Sequence, residues 1–540
     1  MIRARTCPSW GWLVLALPLA MAAWAPQAAA QDVTQLQPAG ADVRLGNLRN
    51  QFDRAFQPAE NRTTAPGWTT FASLGIDGAY MDGTRNLTGA GRNGASTYAT
   101  VTPSFGIQGD SQRLSGSLFY APQLQQYLTP SNDRTLAQNL NGSGHVTVMP
   151  ELAFIDLRAA SGVQSRAGGV GPNGSASLSQ QDQVQTTSLS VAPHLQYRFE
   201  NLGQAQLGYT VNKTNISGTQ PAVASPFVSP SSNQNLISTT PYLNLTTGSD
   251  WGRFNGGFAV KHTSNDGQGV LSHSFQNTET LSGAYALSRL WALTGSIGHE
   301  NIAYGGLRPY HVNDMTWSGG TQITPDAETM LSLSYGSKNG HPSLSMNAQT
   351  QLSKRIRFSA QYGESLGTAA EDLQNNLASS GIDSAGTSIN DTTGEPVGLG
   401  SNFSGASGGL QRSKRASATL SWLLNREAVS FSVSQYQQSV VTNTVAGGPN
   451  STTGINGSVA WQHDFSEDLK GNVFVQYGQR SAVGVANATQ NTMTTYLSMT
   501  YALSETLSSH MTYSYTKLTS PLATQNGGQN LLLFGLLKAF

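Results

Sequence analysis

The sequence predicts an all-β protein: a transmembrane antiparallel up-and-down β-barrel of about 22 strands, with short periplasmic turns and long outer loops. Three observations point there. From Trp68 onward apolar residues recur at every second position, the connections are short and long by turns, and no stretch has the length or period of a spanning helix.

Residues 1–30 read as a cleaved secretory signal, which implies export. Arg3 and Arg5 form the positive start, Trp10 to Trp24 the apolar stretch, and Ala28-Ala29-Ala30 the small-residue cleavage site. Pro18 interrupts the apolar stretch, which is short for a retained anchor. The chain has one cysteine, Cys7, ahead of the apolar stretch, so it is no lipoprotein acylation site. A mature chain without thiols excludes disulfides, cysteine nucleophiles and thiolate metal sites. Formal net charge is zero and only 11% of the 540 residues are charged, so there is no basic field to attract nucleic acid.

Residues 31–66 form an N-terminal periplasmic extension in which Leu45, Leu48, Phe52 and Phe56 share one face of a short helix. Residues 67–540 form the barrel. Its strands are expected near 67–80, 97–109, 112–121, 136–148, 152–163, 184–199, 203–214, 235–247, 252–263, 274–287, 290–303, 312–323, 328–337, 341–352, 355–365, 414–424, 428–438, 453–464, 468–478, 491–503, 506–516 and 529–540. In the first, Trp68, Ala72, Leu74, Ile76 and Tyr80 share a face opposite Thr69, Ser73, Gly75 and Asp77. Far downstream, Leu469, Val473, Val475 and Tyr477 alternate with Lys470, Asn472 and Gln476. Turns such as Asp110-Ser111, Ser288-Arg289, Ser353-Lys354 and Ser504-Glu505 alternate with generally longer loops such as 81–96, 164–183 and 215–234.

The bilayer core offers no water, so every backbone amide must pair within the protein, and only helices or closed barrels achieve that. The apolar face then meets outer-membrane lipid and the polar face a watery lumen. Asp77, Asp156, Arg158, Arg198, Arg253, Lys261, Glu300 and Arg357 are the lumen candidates, since an Arg or Lys on the lipid side near mid-membrane costs about 2–4 kcal/mol. Two aromatic girdles are expected: Tyr80, Tyr209, Tyr335, Tyr362, Tyr436, Tyr477 and Tyr515 at the outer interface, and Trp68, Phe199, Trp251, Trp291, Trp422 and Trp461 near the short turns. Pro103, Pro193 and Pro241 lie within strands and predict local bulges or bends. The longest loop, 366–413, carries a helix over Thr368–Leu377, whose Leu373 and Leu377 would pack against the wall and constrict the pore.

Val101-Thr102-Pro103-Ser104-Phe105, Leu118-Phe119-Tyr120-Ala121-Pro122, the hairpin through Met149-Pro150-Glu151, and Asp391-Thr392-Thr393-Gly394-Glu395-Pro396 resemble the outer-membrane β-barrel proteins associated with PEP-CTERM and exopolysaccharide loci, a porin-like family. The resemblance covers nearly the whole mature chain. It implies an outer-membrane channel or scaffold near polysaccharide secretion, with polysaccharide or periplasmic export components as partners, and it brings no catalytic residues. Phe534, Gly535, Leu536 and Phe540 resemble the signal read by the barrel assembly machinery, with Lys538 departing from the usual pattern.

Chemical motifs fail on context. Gly405-Ala406-Ser407-Gly408-Gly409 spells a hydrolase elbow, and Gly89 to Gly94 and Gly169 to Gly174 spell dinucleotide fingerprints. Each mechanism needs a strand leading into a helix, whereas these lie in loops of a chain with 58 glycines. His145, His299 and His510 stand apart in sequence and read as polar lumen residues. No enzyme activity, cofactor or metal is expected. The leading function is a passive channel; a binding or scaffold barrel for an export complex comes second and a barrel hydrolase third. An energised receptor would need a plug larger than residues 31–66 provide.

Overall fold

The structure is a computed structural model that describes residues 67–83, 95–129, 134–165, 183–218, 233–326, 328–378, 380–382, 388–390, 408–442, 451–483, 488–520 and 526–540. The signal 1–30, the extension 31–66 and the two dinucleotide-like runs lie outside these residues, as do Gly405 to Ser407.

The strands are β1 (Gly67–Asp82), β2 (Ser96–Asp110), β3 (Leu114–Tyr120), β4 (Gln123–Thr129), β5 (Arg134–Ala137), β6 (Leu140–Met149), β7 (Ala153–Ser165), β8 (Gln183–Phe199), β9 (Gly203–Ser217), β10 (Gln234–Thr247), β11 (Phe254–Gly267), β12 (Ser272–Ala286) and β13 (Trp291–Tyr304). There follow β14 (Tyr310–Ile323), β15 (Met330–Lys338), β16 (His341–Ser353), β17 (Ile356–Gly367), helix α1 (Ala369–Ala378), and the small hairpin β18 (Ser380–Ile382) and β19 (Ser388–Asn390). The last run is β20 (Leu410–Leu423), β21 (Glu427–Thr442), β22 (Ser451–Asp464), β23 (Leu469–Val483), β24 (Ala488–Ser504), β25 (Leu507–Thr519) and β26 (Gly527–Ala539).

Every barrel strand pairs antiparallel with its neighbours, and β1 closes on β26 from Ser73↔Ala539 to Asp82↔Asn530. Closure leaves no sheet edge at the seam. The result is a closed barrel of 22 strands.

That count treats β3 with β4, and β5 with β6, as single wall strands. Both pieces of each keep one register: Phe105↔Tyr120 and Val101↔Leu124 along β2, then Leu114↔Val146 and Gln123↔Ala137 across the pair. The break at Ala121-Pro122 falls beside Pro103, which has no amide to offer. The expected spans 112–121 and 136–148 therefore understate these strands at their outer ends.

The bulges expected at the prolines are not found. Pairing lapses beside Pro193 and Pro241, yet Val191↔Val211 and His194↔Gly208, and likewise Thr239↔Ser264 and Tyr242↔Lys261, stay in step. A proline costs the ladder a donor here without inserting a residue.

Lipid-side chemistry follows the alternation. Trp68, Ile76 and Tyr80 on β1 and Leu532, Phe534 and Leu536 on β26 are exposed large apolar side chains. From Leu532 to Phe540 the rise is roughly 20 Å at a tilt near 40°, close to the ~25 Å apolar band of such barrels. Beyond the band the same face turns polar, through His262, Glu279, His299 and Asn313, so β11–β14 project past the membrane on the outer side. His299 thus faces outward and not into the lumen. Among the described residues no helix is long and apolar enough to cross a membrane.

Tyr436 also departs from expectation. It stands opposite Gly454 on the lumen face, while Phe431 and Val433 hold the lipid face of β21. Its ring lies where a Cβ on Gly454 would be, so it belongs to the wall and not to the outer girdle.

Candidate functional site

The candidate site is the lumen and its outer mouth. Inward-facing positions carry mostly hydroxyls and amides, which pair across strands: Ser296 with Ser318 and Ser432 with Ser458, each at 2.6 Å. Charges are few. Asp77, Asp156, Arg158, Arg198, Lys261, Glu300 and Arg357 take inward positions in the alternation; Arg253 lies in the turn before β11, where its carbonyl accepts from Ala286 N at 2.9 Å.

Two of the histidines that stand apart in sequence meet carboxylates across the wall. His510 Nε2 lies 2.8 Å from Asp77 Oδ1, both side chains buried. The pair spans β26 at Gly535, which stands opposite both residues. A Cβ there would fall 2.0 Å from Asp77 Oδ1, so glycine at this position makes room for the pair. Of the C-terminal residues singled out from sequence, Phe534 and Leu536 face lipid, and Phe540 is exposed with its amide donating to Ala72 O at 2.9 Å.

His145 Nδ1 lies 2.7 Å from Asp156 Oδ1, and His194 Nδ1 lies 3.5 Å from Asp156 Oδ2. The Phe154 ring stacks on both imidazoles at 5.3 and 5.4 Å. Among the described residues no group of three or more His, Cys, Asp or Glu side chains could hold a metal ion.

At the outer mouth two segments fold inward. The first is α1. Thr368 caps it: Thr368 N and Oγ1 donate to Glu371 Oε2 at 2.9 and 3.1 Å, and Glu371 N donates to Thr368 Oγ1 at 3.3 Å. This is a capping box, readable in Thr368-Ala369-Ala370-Glu371. The other carboxylate oxygen reaches the wall. Tyr304 OH, Asn265 Nδ2 and Gln276 Nε2 donate to Glu371 Oε1 at 2.9, 3.1 and 3.2 Å, which pins the helix start to β11, β12 and β13. Burial pushes the Glu371 carboxyl above its ordinary range, and the hydrogen bonds from Thr368 and Tyr304 pull against that.

Leu373 and Leu377 are 1% and 3% exposed, so the helix has an apolar seat. Leu373 joins Val184, Ile216 and Leu236 on the inner faces of β8, β9 and β10, with Ile302, Val312 and Leu410 in the same cluster. The body of α1 lies against β7–β10, a third to nearly half of the circumference away from β17, the strand it leaves. Arg415 Nη2, on the inner face of β20, lies 3.3 Å from Asp372 Oδ2 and ties the helix back.

The second segment is the tip of the β15–β16 hairpin. Asn339 and Gly340 have φ of 53° and 68°, the left-handed pair that a two-residue Asn-Gly turn requires. The hairpin is short. It pairs with β14 only over Trp317–Ile323 and with β17 only up to Tyr362. Its tip is held from inside: Gly340 N donates to Glu300 Oε1 at 3.1 Å and Tyr310 OH donates to Asn339 O at 3.0 Å. Arg412 Nη2 donates to Tyr310 OH at 3.2 Å, joining β20 to β14 across the shortened hairpin.

A closed barrel with a lipid-facing apolar band, a polar lumen and an inward-folded mouth defines a class: the chain is a transmembrane antiparallel β-barrel of 22 strands. A family model described as "Putative beta-barrel porin 2" matches residues 412–539. No curated protein matches. Among solved structures the siderophore receptor PirA from Acinetobacter baumannii is 10% identical, with 88% of this chain and 81% of that chain covered and a TM-score of 0.47. The open form of the ferric-catecholate import receptor Fiu from E. coli K12 is 11% identical, with 88% and 82% covered and a TM-score of 0.45. OccAB4 from Acinetobacter baumannii is 9% identical, with 87% and 98% covered and a TM-score of 0.32. Likenesses this distant say nothing about what passes through the barrel.

Proposed function

We propose that this protein is a passive outer-membrane channel for saccharides, including exopolysaccharide, exported through the signal at 1–30 and inserted by the barrel assembly machinery through the Phe534–Phe540 segment. The observation that carries the reading is the lumen wall. Its inward positions, such as Ser296, Ser318, Ser432 and Ser458, offer uncharged donors and acceptors that replace water around a hydroxyl-rich solute as it moves. No bond is made or broken in that passage. The link to exopolysaccharide loci rests on the sequence resemblance, and periplasmic export components are the partners it implies.

Purified, refolded protein in planar bilayers is expected to give discrete current steps, which neutral oligosaccharides interrupt in a length-dependent way. The inward-folded mouth favours a second reading, a barrel that binds or scaffolds without conducting. Folded protein that inserts and stays silent would support that reading against the first.

A further inference from the structure

On the inner wall, on the periplasmic side of the seat of α1, Tyr242 on β10 stands directly opposite Gly208 on β9. A Cβ on Gly208 would lie 2.3 Å from Tyr242 Cζ, so the ring is laid along the wall, across the glycine. Leu207 and Tyr209 beside the glycine face lipid, which puts Gly208 and the ring on the lumen side. One face of the half-buried Tyr242 ring rests on backbone and the other is left to the lumen.

The surroundings of that face are ordered by register. Gly208 stands opposite His194 on β8, His194 opposite Phe154 on β7, and Tyr242 opposite Lys261 on β11. Asp156 follows Phe154 on the same inward face of β7, and its carboxylate is 42% exposed between His145 and His194. A flat apolar face is thus flanked by an accessible carboxylate on one side and an ammonium on the other.

We infer that this band is a saccharide subsite, in which a neutral pyranose ring stacks on Tyr242 while Asp156 accepts and Lys261 donates hydrogen bonds at its hydroxyl rim. A pyranose has one face of C–H groups, drawn to the negative face of an aromatic ring, and an edge of hydroxyls that both donate and accept. A flat apolar surface with a few convergent polar groups is the composition such a ligand needs. Asp156, which accepts from a neutral ring, would repel the carboxylate of a uronate on that side. The assignment rests on the channel reading for why a glycan enters the lumen, but binding is measured without conduction.

The test is titration of the full-length refolded protein in detergent with neutral hexasaccharides of glucose, mannose or galactose units, and with hexagalacturonate. At least one neutral chain should bind. Tyr242→Ala should weaken it tenfold or more and Tyr242→Phe less than threefold. Tyr242→Leu, which still covers Gly208 but lacks an aromatic face, should weaken it like the alanine and guards against an alanine variant that does not fold. A ring that only covers a glycine of the wall would leave affinity unchanged in folded Tyr242→Leu, which would overturn the subsite. So would folded wild type that binds no neutral chain, or binds hexagalacturonate more tightly. A barrel that binds but passes no current ends the channel reading and leaves the subsite standing; one that conducts without binding ends the subsite alone.

Discussion

Replacing Ala369 to Gly409 with a short Gly/Ser turn should raise single-channel conductance severalfold while the barrel still folds. About 22 strands spaced ~4.8 Å apart and tilted near 40° enclose a backbone circle roughly 40–45 Å across. Helix α1 is about 15 Å long and lies inside that circle, seated on β7–β10. The barrel does not need it for pairing, because β17 pairs directly with β20 from Ile356↔Trp422 to Gly367↔Gln411. Removing the segment therefore opens the mouth without opening the wall. Unchanged conductance in a folded deletion variant would remove α1 as the constriction.

The second large effect is expected at Glu371. Its carboxylate is shared between the helix cap and three wall donors, so Glu371→Ala loses the capping box and leaves Tyr304, Asn265 and Gln276 without that acceptor. Hydrogen bonds to a charged group contribute about 1.5–3 kcal/mol each and a cap about 1 kcal/mol. Burial of Leu373 and Leu377, about 1.5–3 kcal/mol apiece, is the same in both proteins and still favours docking. A loss of about 3 kcal/mol, with water taking up part of what the wall donors lose, shifts the docked-to-released ratio roughly 100-fold. Conductance should then fluctuate toward the deletion value. Glu371→Gln keeps one carbonyl oxygen for the wall donors and should fall between wild type and Glu371→Ala. If the alanine variant, shown to be folded, gates like wild type, the carboxylate does not hold the helix.

The parts of this arrangement that the sequence displays are those set by alternation within one strand. Leu469, Val473, Val475 and Tyr477 declare a lipid face because a period of two needs no knowledge of neighbours. The parts it hides depend on register. Asp77 and His510 are more than 400 positions apart and meet only because β1 and β25 flank Gly535. His145 and Asp156 sit on adjoining strands, yet their pairing needs the β6–β7 register, which the hairpin sequence alone leaves open. Tyr436 was legible as an inward residue, because it is out of phase with Phe431 and Val433 on its own strand; register shows only that its ring covers Gly454. The helix was half legible. Thr368 and Glu371 spell its cap and Leu373 and Leu377 its apolar side, but nothing local points to Asn265, Gln276 and Tyr304 as the groups that hold it. The piece β4 lies beyond the expected span because the Ala121-Pro122 break resembles a strand end, although the register runs on through it, and the expected span 136–148 enters β5 only at Leu136.

Swelling of proteoliposomes in saccharides of graded size tests the central claim most directly, because it asks whether uncharged hydroxyl-rich solutes cross a barrel narrowed at its mouth. Liposomes carrying the full-length refolded protein should swell in monosaccharides and disaccharides, progressively less in longer chains, and faster with the Ala369–Gly409 replacement. No swelling above protein-free liposomes with either protein, each shown to be folded and inserted, would contradict the account.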